Sequence, residues 1–161
     1  MAWTDPVDFN EPMIVDEVDM NLMQDNLRAL WHEVAYVEFT AAVTATTGVN
    51  TEAAPIDIVS AGALTYVANP IMVEVFIPVL LFNNATEGMS LWDATTDLGR
   101  LTKSFGTGGT YTRRLTPTAA SHTYKARLWT GDGSNATATA GAGGVGTAMP
   151  GFIRVLQKGG V

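Results

Sequence analysis

The 161-residue sequence predicts a mainly β protein: an N-terminal extended arm and one amphipathic helix, then a β-sandwich of the jelly-roll kind. Three observations predict this class. From residue 35 onward, apolar and polar residues alternate singly, as on a half-buried strand. Clusters of Gly, Asn and Pro interrupt that alternation at short intervals. Only one stretch, 16–34, places apolar residues at helical steps. The expected organisation is an arm and attachment helix over residues 1–34 and a sandwich over 35–161.

The arm comes first. Residues 1–14 hold Pro6 and Pro12 with the scattered anchors Trp3 and Phe9, and each proline fixes φ and removes a donor. "DEVDMNLMQDNLRALWHEV" then reads as a helix opened by Asp16, with Glu17 and Asp19 at its positive end. Met20, Met23, Leu27, Leu30 and Val34 form its stripe, widened by Leu22 and Trp31. At roughly 28 Å it could pack back on its own sandwich, or on copies of itself through a near-heptad seam. Both packings are open.

In the body, Val37, Phe39, Ala41 and Val43 fall on one face and Glu38, Thr40 and Thr44 on the other. Further strands are predicted over 56–60, 63–68, 71–82, 88–93, 98–104, 110–116, 121–130 and 149–157. Tyr124, Ala126 and Leu128 are expected to point inward, and Thr123, Lys125 and Arg127 outward. Pro78 belongs at a bulge or an edge, because it cannot donate to a ladder.

Charge is unevenly spread. Residues 1–38 carry nine of the sixteen acids against the single base Arg28, while the remainder has seven acids and eight bases. An acidic arm and a near-neutral body argue against nucleic acid, which needs clustered Lys and Arg. They suit a protein partner with a basic or mixed surface, or simply a solvated helix face. The sequence lacks cysteine, so stability rests on the core or on oligomerisation. The opening "MAWTDPVDFN" does not read as a signal peptide, and "IMVEVFIPVLLF", broken by Glu74 and Pro78, is too short for a membrane span.

The search for chemistry begins at Gly141-Ala-Gly143-Gly-Val-Gly146, a literal G-x-G-x-x-G. A dinucleotide loop needs a helix after the glycines and an acid about 20 residues on. Here Met149-Pro150-Gly151 and a strand-like run follow, so the segment reads as a glycine-rich connection whose tip is a candidate binding loop. His32 and His122 are too isolated for a metal site. Ser121, His122 and a distant Asp could be drawn as a triad, but adjacent strand residues face opposite ways. Asp93 and Asp97 fit turn acids. No catalytic residue, cofactor or metal site is expected. Trp92 and Trp129 are either core residues or a platform for a sugar.

The N-terminal stretch resembles the opening of small structural proteins of tailed bacteriophages: a Trp-containing arm, then an acidic helix ending in Asn-x-x-x-Asp-Asn-Leu-x-x-Leu. Trp3, Asn21, Asp25, Asn26, Leu27 and Leu30 carry the match over about the first 31 residues. Where such proteins have a glycine and a Val-Thr pair before the helix, this chain has Glu11-Pro-Met-Ile-Val15-Asp16. "TYKARLW" (123–129) and "PGFIRVLQ" (150–157) are similar in style to the β-sandwich appendages of such virions. The resemblance implies a non-enzymatic late structural protein of the virion, associated with the tail or tail tip. It implies docking of the arm and helix on other virion proteins, a displayed sandwich, and a homo-oligomer, a trimer in the first instance. Capsid decoration is the alternative location. A carbohydrate-binding or glycan-processing module, acting on host-surface glycan, is the alternative of another class.

Overall fold

A computed structural model describes residues 31–158, apart from Val67, Phe105 and Asp132. Eleven strands make up the described secondary structure: β1 (Trp31–Phe39), β2 (Val43–Ala45), β3 (Ile56–Thr65), β4 (Ile71–Ile77), β5 (Val79–Leu81), β6 (Glu87–Asp93), β7 (Thr96–Lys103), β8 (Gly109–Leu115), β9 (Ser121–Thr130), β10 (Ala136–Thr139) and β11 (Gly151–Lys158). They form three antiparallel sheets, so the chain is mainly β. A front sheet has the order β1-β11-β4-β8, a back sheet β3-β9-β6-β7, and a small sheet β2-β10-β5.

Alternation drives the packing. Ile71, Val73, Val75 and Ile77 of β4 and Ile153 and Val155 of β11 are buried on one face of the front sheet. They share a single core with Met89 and Leu91 of β6 and Tyr124, Ala126 and Leu128 of β9. Each such side chain contributes about 1.5–3 kcal/mol on leaving water, and together they hold the two large sheets in a sandwich-like pair. The inward set expected on β9 is the one observed.

Three elements depart from the sequence reading. Residues 56–60 and 63–68 belong largely to one strand, β3, whose register shifts between Ser60 and Ala63. Gly62 sits at φ 76° in that shift, a bulge conformation that glycine adopts without strain. The run 71–82 divides at Pro78 instead, leaving β4 in the front sheet and β5 in the small one. Trp31 and Val34, expected on the helix, lie in β1, so the 34/35 boundary falls inside a strand. The physical reason is the ladder: β1 pairs with β11 from Trp31↔Lys158 to Phe39↔Gly151, and this long-range pairing outweighs a local helical period. The rest of the expected helix, with Met20, Met23, Leu27 and Leu30, lies outside the described residues, as do the arm anchors Trp3 and Phe9.

Candidate functional site

The register gives the body two different ends. Trp31 opposite Lys158 sets the start of β1 and the finish of β11 side by side at one end, called proximal here. The turn before β11 and the Ile77–Val79 corner after β4 lie at the other, distal end, because β11 and β4 are antiparallel and Phe152 faces Phe76.

The distal end carries the glycine loop. Gly141 N donates to Met149 O at 3.1 Å and Gly143 N to Ala148 O at 3.0 Å, closing a narrow loop. Gly143, Gly144 and Gly146 have φ of 78°, 107° and 78°, values open to glycine and strained for most other residues. Val145 at its tip is fully exposed, and Met149, Val79 and Leu81 are exposed nearby in sequence or sheet order. The loop is therefore a shaped turn with an apolar tip and no phosphate-binding helix behind it, since β11 follows directly.

β1, an edge strand that runs from the proximal to the distal end, exposes Trp31, Tyr36 and Val37 by 37%, 46% and 36%. The outer face of the front sheet beside it is aromatic. Tyr36, Phe152 and Phe76 form a row with centroid spacings of 5.3 and 5.5 Å, and Met72 and Leu156 add half-buried apolar surface. The Arg114 guanidinium lies 5.9 Å from the Trp31 ring, and Arg154 is paired with Glu74 at 2.5 Å.

A polar cluster occupies the β6–β7 and β8–β9 turns. Asp93 Oδ2 lies 2.5 Å from His122 Nδ1, and Asp93 Oδ1 accepts from Thr123 N at 2.9 Å. His122 Nε2 is 3.3 Å from Thr118 Oγ1 and 3.2 Å from Thr118 O. The imidazole stacks on Tyr124, with 5.9 Å between centroids, and Tyr66 packs 5.6 Å from Tyr124. Burial, then the Asp93 charge, pushes the Tyr66 phenol up to about 12 and raises Tyr124 as well. A recess of ≈ 230 Å³ opens here between Leu98, Leu115 and Pro117. The acid, imidazole and hydroxyl line up as in a hydrolase. Yet both polar contacts of Nε2 are to Thr118 itself, so the group also works as a clamp on loop 116–120. The distant Asp that the sequence sets with His122 is Asp93, brought there by the pairing of β6 with β9, while Ser121 is exposed.

Trp92 and Trp129 lie on the outer face of the back sheet and are buried, 8% and 3% exposed. Trp129 Nε1 donates to Ser90 Oγ at 3.0 Å. Arg127 covers Trp92 at 4.8 Å, while Arg100 and Lys103 cover Trp129 at 5.4 and 6.0 Å. The ring faces that would stack on a sugar are taken by cations. Beside them Asp57 binds Lys125 and Arg127 at 2.7 and 2.5 Å. Burial alone would raise its pKa, but the two cations more than offset this and hold it below the usual carboxylate range.

Among the described residues no group of three or more His, Asp or Glu gathers to hold a metal ion, and no helix is long and apolar enough to cross a membrane. No known protein family and no curated protein matches the chain.

Proposed function

We propose that the protein is a non-enzymatic structural component of a tailed-bacteriophage virion, associated with the tail or tail tip. Its N-terminal arm and helix attach to other virion proteins, and its body, a jelly roll assembled as a homo-oligomer, is displayed outward. One observation carries the reading: the chain enters the body at the end opposite the shaped, apolar-tipped loop Gly141–Met149. A module held at one end and binding at the other needs this polarity, and multivalent display then turns weak tip contacts into strong attachment. The orders β1-β11-β4-β8 and β3-β9-β6-β7 support the jelly-roll winding, in which two four-stranded sheets interleave along the chain.

Virus particles purified from the source of the chain provide the test. Mass spectrometry is expected to find the chain in fixed copy number, and antibodies to loop 141–149 to label the outside of intact particles. Label at the tail places it there; label on the head selects capsid decoration. A chain missing from purified particles overturns the proposal.

A further inference from the structure

The front sheet ends in two edge strands of opposite charge. β1 carries Glu33 and Glu38, both exposed, and β8 carries Arg113 and Arg114, also exposed. Among the described residues, Glu33, Arg113 and Arg114 form no ion pair; Glu38 accepts a hydrogen bond from the Tyr36 hydroxyl at 2.7 Å. Among the described residues no strand pairs with the outer side of either edge, which leaves a row of backbone donors and acceptors there, and β1 adds exposed Trp31, Tyr36 and Val37.

Direction and height also match. β1 is antiparallel to β11, β11 to β4 and β4 to β8, so β1 and β8 run oppositely. Two copies side by side, proximal ends level, therefore set β8 of one antiparallel to β1 of the next, continuing the alternation of the sheet. One cross-strand row runs Arg114–Met72–Leu156–Glu33. Extended into a level neighbour, that row brings Arg114, turned outward from the Trp31 ring 5.9 Å away, beside the next copy's Glu33, an opposite-charge cross-strand pair. Like edges repel: β1 against β1 sets acids together, and β8 against β8 sets arginines together.

We infer that the partner of this surface is a second copy of the chain, joined head to tail with β8 of one copy against β1 of the next and with Arg114 facing Glu33. The contact is heterologous, so it closes into a ring or continues as a filament, with every proximal end on one side. This deepens the homo-oligomer of the proposed function, but its test reads mass in solution and so fails separately from particle labelling.

The experiment uses the full chain and three variants, Glu33→Arg, Arg114→Glu and the double exchange, in sedimentation across a dilution series. Circular dichroism reports whether each is folded, and Glu33→Gln and Arg114→Gln replace any reversal that is not. Wild type is expected to self-associate, each single reversal to weaken association tenfold or more, and the double exchange to recover to within about threefold. A monomeric wild type, single variants with unchanged mass, or a folded double variant no better than the singles overturns the assignment. Unchanged mass is also the result expected if residues 1–30 of the same chain cover this face instead.

Discussion

Replacing Gly88 by alanine is the sharpest test of the back sheet. Gly88 lies opposite Trp129 in the β6–β9 register, and a Cβ there would strike the Trp129 ring at Cζ2, Cε2 and Cη2. The indole cannot simply lift, because Arg100 and Lys103 sit over its far face and Ser90 Oγ accepts from its Nε1 at 3.0 Å. Tilting it gives up that buried hydrogen bond, about 1 kcal/mol net. It also exposes on the order of a third of the ring, roughly 60–80 Å², for about 1.5–2 kcal/mol more. The expected loss is about 2.5–3 kcal/mol, or roughly 1.5 M in urea midpoint at a slope of about 2 kcal/mol/M. Urea melts followed by tryptophan fluorescence and circular dichroism measure it. A second pair of melts in a Trp129→Leu background isolates the collision: there Gly88→Ala is expected to cost less than about 0.5 kcal/mol. Equal losses in both backgrounds, or no loss in either, would refute the contact.

Two further outcomes follow from the other clusters. Asp57 is depressed by Lys125 and Arg127 against the opposing effect of burial, so its contribution is present above the unfolded pKa and is lost as pH falls through the folded one. With its side chain 42% exposed, the contribution is about 1 kcal/mol. Wild type should thus exceed Asp57→Asn in stability at pH 6 by about that amount and match it near pH 2, as read by thermal melts. Asp93→Asn removes the carboxylate that accepts from both His122 Nδ1 and Thr123 N. It should cost about 1–2 kcal/mol and speed proteolysis within 116–120, whereas unchanged cleavage there would mean that the clamp does not restrain the loop.

Much of the sandwich is legible in the sequence because its strands are β-branched, alternating and fenced by turn residues. Tyr124, Ala126 and Leu128 are buried as that pattern requires. β10 escapes notice because Ala136–Thr139 carries no large apolar residue and owes its place to ladders with β2 and β5. Trp31 and Val34 satisfy a helical and a strand period equally; only the partner strand β11 decides between them. The clusters are less legible for the same reason. His122 and Asp93 meet through β6 and β9 being neighbours, and the charged edges exist only once the sheet order is known. Trp129 reads equally as a core residue or as a platform for a sugar until the register sets it over Gly88, where a flat ring fits and a side chain does not.

The pairing of β1 with β11 bears on how the molecule responds to force. Their ladder runs through eight residue pairs, and the start of β1 lies beside the finish of β11. A pull that separates those two ends opens the ladder like a zipper, one bridge after another, against little resistance. A pull between the start of β1 and the loop ahead of β11 acts along the strands and strains every bridge at once. Mechanical rupture is governed by the unfolding rate, and loading in this direction is the slower to fail. Tethered at the start of β1 and tugged at Gly141–Met149, the body is stressed along its tougher axis.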